Sequence, residues 1–155
     1  MSVRIDVVQR GCLVVLTATS LFVGGWAYFA PLHWYDTFPG FGMQWLPPLG
    51  PYNEHFVKDV GAMYLALATL STVAVFRMAN RTLVLVTAAA YSVFNVLHLI
   101  YHVTMLHMYS TRDAVLNTVA LSVVLLCSAL LALPAPASRQ RATEGSPIRP
   151  ERFAE

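Results

Sequence analysis

Between Pro51 and Asp59 the chain reads PYNEHFVKD, which sets Glu54, Asp59, Lys58, His55 and Asn53 side by side. The stretch opens directly onto an apolar run, VGAMYLALATLSTVAVF. A second run, FNVLHLIYHVTMLH, places His98, His102 and His107 in another apolar segment. Ionisable groups are costly in apolar surroundings of this kind. Where they are tolerated they mark ligand pockets, proton relays or metal sites.

Their spacing groups them further. Tyr91, Asn95, His98 and His102 are separated by four, three and four residues, so they share one stripe of a helix. His55 and Asp59 are i,i+4 neighbours, as are Asp113 and Asn117. Glu54 and Lys58 form another such pair in the favourable acid-first order.

Three chemistries are open to this set. His98 and His102 have the spacing of two metal ligands on one helix face, and His55, Asp59 or Glu54 would complete the site. Imidazole with carboxylate suits a transition metal such as zinc, iron or copper. The Glu of an HExxH helix is missing, since Leu99 follows His98. For bis-histidine haem only His98 with His55 comes into consideration, because axial ligands approach from opposite sides of the ring. A second reading is a pocket for a small molecule or a proton, lined by Glu54, His55, Lys58, Asp59, Asn95, His98 and His102. The third is structural: neighbouring acids, base and histidines pair locally, and Asn95 makes an interhelical hydrogen bond. His33 and His107 read as surface groups. The function classes that follow are a ligand-binding or accessory subunit of a membrane complex and, as the alternative, a membrane-bound metal-dependent or redox enzyme.

The elements that must position these groups are set by composition. Charged residues are 12% of the 155, and mean hydropathy is +0.57. A soluble domain carries about 25% charged residues. Residues 11–30, 60–76, 82–111 and 114–138 contain no Lys, Arg, Asp or Glu. Each approaches or exceeds the roughly 20 residues needed to cross a hydrocarbon core. The fold class expected is therefore all-α: a polytopic membrane protein, a four-transmembrane-helix bundle with both termini inside. The helices are expected at about 11–30, 53–78, 82–108 and 113–133, preceded by a short polar arm and followed by a disordered cytoplasmic tail at 134–155. The first run resembles a secretory leader behind Arg4 and Arg10, but it is long for one and no small-x-small site follows it.

Pro31 stops the first helix. The connection at 31–53 holds five prolines and three glycines, which break any continuous helix. Ten of the eighteen aromatic residues lie between Trp26 and Phe56. That density predicts an aromatic belt at the membrane–water boundary that caps the bundle, or a lid over a pocket. Asn53 is the natural cap of the second helix, with Glu54 suited to its dipole.

Lys and Arg fix the expected orientation. Arg4, Arg10, Arg77, Arg81, Arg139, Arg141, Arg149 and Arg152 share one side in a four-helix topology, against Lys58 and Arg112 on the other. The rich side is cytoplasmic by the positive-inside rule. With about 1.5 Å of rise per residue, His98 and His102 lie roughly 24 and 30 Å above Thr82. They share that outer layer with Glu54, His55, Lys58, Asp59, Asp113 and Asn117. The lipid bilayer is thus the first partner, with other membrane subunits a further one. A net charge of +2 without a basic stripe gives no footprint for nucleic acid. Cys12 and Cys127 lie in different apolar segments without CxxC spacing and read as small packing residues.

The first helix ending in FAP, the loop, and then KDVGAMYLALA resemble the small four-helix DoxX-like integral membrane proteins. In that family a D-x-x-G-x-x-x-L-x-L-A run opens the second helix. Asp59, Ala62, Leu65 and Leu67 sit within that run here, and Gly61 comes two residues after the Asp. With HLIYHVTMLH, the chain is more similar still to uncharacterised actinobacterial relatives of the family. The resemblance covers residues 11–133 and implies a four-helix bundle. Some DoxX-like members are linked to quinone or thiol redox complexes; no redox cysteine pair is evident in this sequence.

Overall fold

The computed structural model describes residues 2–134; the predicted tail beyond Pro134, with its four arginines, lies outside the described residues. Among the described residues four helices are long and apolar enough to cross a membrane. They are α1 (Ser2–Phe29), α3 (Glu54–Phe76), α4 (Arg81–Thr104) and α5 (Thr111–Leu131). A short helix α2 (Pro31–Thr37) and a two-stranded hairpin, β1 (Pro39–Gly40) with β2 (Met43–Gln44), lie between α1 and α3. The all-α four-helix membrane bundle expected from hydropathy is the fold.

The helix starts follow their caps. Asn53 Oδ1 accepts from the Phe56 amide at 3.3 Å, Asn80 Oδ1 from Leu83 at 3.1 Å, and Ser110 Oγ from Asp113 at 3.2 Å. Each satisfies one of the amides that a helix start leaves unpaired. The N-terminal arm is a correction: it continues α1 back to Ser2, and Gln9 is buried. Its Nε2 donates to the carbonyls of Leu130 and Leu133 at 3.2 and 3.1 Å. The Arg81 guanidinium donates to those of Leu131, Ala132 and Leu133. The last carbonyls of α5 are orphans of helix geometry, and a cation there also complements the dipole. Three helix ends are thereby tied together, and the start of α1 and the end of α5 lie at the same end of the bundle.

The bundle closes along α1, which packs chiefly on α3 and also on α5, while α5 packs on α4. Lipid is as apolar as leucine, so close approach and interhelical hydrogen bonds must hold membrane helices together. Both are found on α1. A Cβ on Gly61 would lie 2.7 Å from the Tyr28 nitrogen, and one on Gly24 2.9 Å from the Tyr64 Cβ. The polar contacts centre on Tyr91. Ser20 Oγ lies 2.8 Å from its hydroxyl and Ser71 Oγ 3.1 Å, and Thr17 Oγ1 donates to Ser71 Oγ at 2.8 Å. Two apolar clusters flank this level. Leu13, Leu16, Ala74, Val84 and Leu131 fill the end that carries the chain termini. Val23, Ala27, Trp34 and Val57 fill the loop end. The two cysteines, unrelated by spacing, meet in the first cluster, where Cys127 of α5 packs against the residues around Cys12 of α1.

Gly61→Ala is expected to lose about 1–3 kcal/mol, because the contacted atoms are backbone and Cβ and cannot rotate away. Gly25→Ala meets no heavy atom within 4 Å and is expected to be neutral or stabilising by up to about 1 kcal/mol. Reversible unfolding in mixed micelles measures both, and equal losses at the two positions would contradict the close α1–α3 contact.

Candidate binding site

Between the two apolar clusters the helices and the aromatic connection form a partly open cavity of about 150 Å³. Helix α4 supplies one wall. Tyr91, Asn95, His98 and His102, the stripe predicted from 4-3-4 spacing, all line the cavity. Their order down the helix gives a polar track that ends at the Tyr91 hydroxyl and its serine partners. Ser20 and Val23 of α1, Tyr64 of α3 and Asn117 of α5 line the other sides.

The roof comes from the aromatic connection. Trp34 on α2, Phe38, and Trp45 and Leu46 beyond β2 face the cavity. Trp34 and Trp45 are buried, so these two rings are part of the cap over the bundle. Trp45 is fixed at two points. Its Nε1 donates to Asp113 Oδ1 at 3.3 Å, and its carbonyl accepts from the Tyr109 hydroxyl at 2.9 Å. Asp113 in turn accepts from Ser110 Oγ at 2.8 Å. Gly40 and Gly42 give the hairpin its positive φ values of 100° and 77°, and Phe41 between them stands out, fully exposed.

Within the cavity, aromatic packing fixes the imidazoles. His98 stacks on Phe94 with centroids 5.1 Å apart, and Phe94 meets Tyr64 edge-on at 5.2 Å. His102 lies edge-on to His98 at 4.5 Å. Asn95 Nδ2 donates to the Val124 carbonyl at 3.2 Å, joining α4 to α5. Three residues of the lining each carry a side-chain atom that is wholly buried and has no protein partner: Trp34 Nε1, His102 Nδ1 and Asn117 Oδ1. Their residues are 7%, 6% and 2% exposed. Each uncompensated group of this kind costs about 1–3 kcal/mol, so three on one small cavity are a concentrated expense.

Four of the seven predicted site residues lie elsewhere. Glu54, His55, Lys58 and Asp59 do not line the cavity. His55 Nε2 sits 3.3 Å from Asp59 Oδ2 with side chains 80% and 64% exposed, and Lys58 pairs with Glu54 at 2.8 Å on the surface. The reason is rotational. Val57 and Gly61 turn the inner face of α3 toward α1. His55 and Asp59 each stand two residues from Val57, which at 3.6 residues per turn is about 160° around the helix. The proposed metal set of His98, His102, His55 and Asp59 is therefore split between the interior and the outer surface. Among the described residues no group of three or more His, Cys, Asp or Glu side chains is arranged to hold a metal ion. His98 and His102 alone fall short of the three protein ligands that a zinc site needs.

Some lining residues carried a signal in the sequence. Asn117 is marked by its i,i+4 relation to Asp113, and Ser20 closes a run of hydroxyl residues, Thr17, Thr19 and Ser20, within an apolar segment. Trp34 and Trp45 carried none beyond aromatic density, because only the path of the loop turns them inward.

Outside the membrane spans, burial foremost and then the neighbouring Tyr101 and Asp113 push the Tyr109 hydroxyl up to about 12. A raised folded pKa stabilises the neutral form. Its contribution is full below the unfolded value of about 10 and is lost as pH rises toward the folded value. The cap is expected to loosen between pH 10 and 12, seen as a red shift of tryptophan emission coincident with tyrosinate absorbance. Tyr109→Phe should abolish that coincidence.

Comparison of the chain with protein-family models, with curated proteins and with solved structures returned no match.

Proposed function

We propose that this multi-pass membrane protein holds a small lipid-soluble molecule in the cavity under its aromatic cap, as a ligand-binding or accessory subunit of a membrane complex. One observation carries the reading: a cavity of about 150 Å³ is lined by the Tyr91, Asn95, His98 and His102 stripe of α4 and covered by Trp34 and Trp45. The volume supports it as well, since a cavity of about 150 Å³ takes up a benzene-sized guest. Metal-dependent chemistry has no comparable support, because the carboxylates that would complete a histidine site lie on the outer surface.

Trp34 and Trp45 line the cavity and report directly on an occupant. Bromobenzene, a heavy-atom quencher, is expected to quench tryptophan emission of the protein in nanodiscs with a saturable component. Val124→Phe places a ring in the cavity and is expected to remove that component without lowering the melting temperature. Identical saturable quenching in the two proteins would sink the proposal.

The orientation belongs to the same reading. The excess of arginine in the N-terminal segment, the α3–α4 turn and the C-terminal tail supports both termini being cytoplasmic in the cell membrane, with the aromatic cap outside. A reporter fused after Glu155 is expected to be active only in the cytoplasm; activity on the far side would invert the assignment. The likeness of the run from Lys58 to Ala68 to DoxX-like proteins is part of the proposal, since the run contributes Gly61 and Tyr64 to the α1–α3 contact.

A further inference from the structure

We infer that the cavity is entered sideways, from the hydrocarbon core of the bilayer, through a window between α1 and α5 framed by Thr19 and Ala120. Its ligand class is accordingly an uncharged molecule dissolved among the lipid chains; this deepens the ligand-binding reading above and rests on it. The cavity is partly open, and its lining shows where. Among the described residues that line it, Ala120 alone is exposed; the rest are buried or half-buried. An exposed residue on a cavity wall stands at its mouth.

The register of α1 against α5 supplies the other side of that mouth. The two helices are joined where α1 starts and α5 ends. There Gln9 donates to the carbonyls of Leu130 and Leu133, and Leu13 and Leu131 share one apolar cluster. Ten residues on from Gln9 is Thr19, and ten back from Leu130 is Ala120, each about 15 Å further along its helix. Thr19 is half-buried and lines the cavity too. Both side chains are small, so little closes the seam at this level. The α3–α4 seam, by contrast, is filled by rings: Phe94 meets Tyr64 edge-on and stacks on His98.

Depth decides what lies outside the window. Ala120 stands nine residues from Thr111 and eleven from Leu131, the two ends of α5. That is roughly 15 Å from either end, the middle of a core about 30 Å thick. The rim is apolar. Val15 and Phe22 on α1, and Leu116 and Val123 on α5, each three or four residues from the frame, are exposed. A molecule that passes this rim therefore comes from lipid. A charged one is costly at that depth, and among the described residues that line the cavity it meets no Lys, Arg, Asp or Glu.

The test uses the full chain in nanodiscs with Cys12→Ala and Cys127→Ala, and fluorobenzene as the probe. Saturation transfer in fluorine NMR reads its exchange between bilayer and cavity. Thr19→Cys with Ala120→Cys is expected to be bridged by a short bis-methanethiosulfonate linker. The bridge is expected to slow exchange about tenfold, and dithiothreitol to restore it. Ala120→Leu, a single substitution that narrows the window, should slow exchange as well and decides the matter where the double variant folds poorly. Asp113→Ala, which frees Trp45 in the roof, should leave the rate unchanged. Unchanged exchange in the bridged protein and in Ala120→Leu, or faster exchange in Asp113→Ala, would overturn the window and leave the cavity reading intact. Absence of any bound signal that Val124→Phe removes would overturn the cavity reading itself.

Discussion

The approach of α1 to α3 is the contact on which the rest of the bundle depends. Helices in lipid gain nothing from burying apolar surface against each other, so association must come from backbone proximity and polar contacts. Gly61 against Tyr28, and Gly24 against Tyr64, bring two helix backbones as near as side chains allow. That proximity puts Thr17 and Ser20 of α1 within reach of Ser71 and Tyr91. It also fixes the rotation of α3, and hence which residues of PYNEHFVKD face inward. Val57 does; the acids, the lysine and His55 do not.

A second constraint acts at the opposite end. The carbonyls that finish α5 are covered by Gln9 and Arg81, so α1, α4 and α5 are joined where the chain enters and leaves. With α3 locked to α1, the helices cannot collapse around the gap left below the cap. The roof is held from outside that gap, through Trp45 to Asp113 and Tyr109. The cavity thus persists because its walls and roof are anchored at points other than the cavity itself.

The four spans were legible in the sequence because hydrocarbon thickness imposes a length and forbids charge, and both are one-dimensional properties. The stripe of Tyr91, Asn95, His98 and His102 was legible too, since four polar residues in an apolar helix mark its inner face. Helix α3 offered a misleading marker. Its polar residues cluster in the first turn and a half, where the helix emerges toward water and either face tolerates charge. The informative residue was Gly61, which marks a face by the lack of a side chain. The arm at residues 2–10 was misread for a related reason: its polar residues look solvated one at a time, yet Gln9 caps a helix that is more than a hundred residues away in the chain. The meeting of Cys12 with Cys127 likewise depends on which helices are neighbours, which hydropathy does not encode.

The apolar cluster beneath Tyr91 has an electrical consequence. The polar track along α4 reaches the serines around the Tyr91 hydroxyl and then meets Leu13, Leu16, Val84 and Leu131. A membrane potential of 100 mV is worth about 2.3 kcal/mol for each charge carried across it, and the drop concentrates in the layer of lowest polarisability. In this bundle that layer is the leucine-rich end. The bundle is in these terms an apolar slab under a more polar chamber, so a potential across it would fall mainly over the slab.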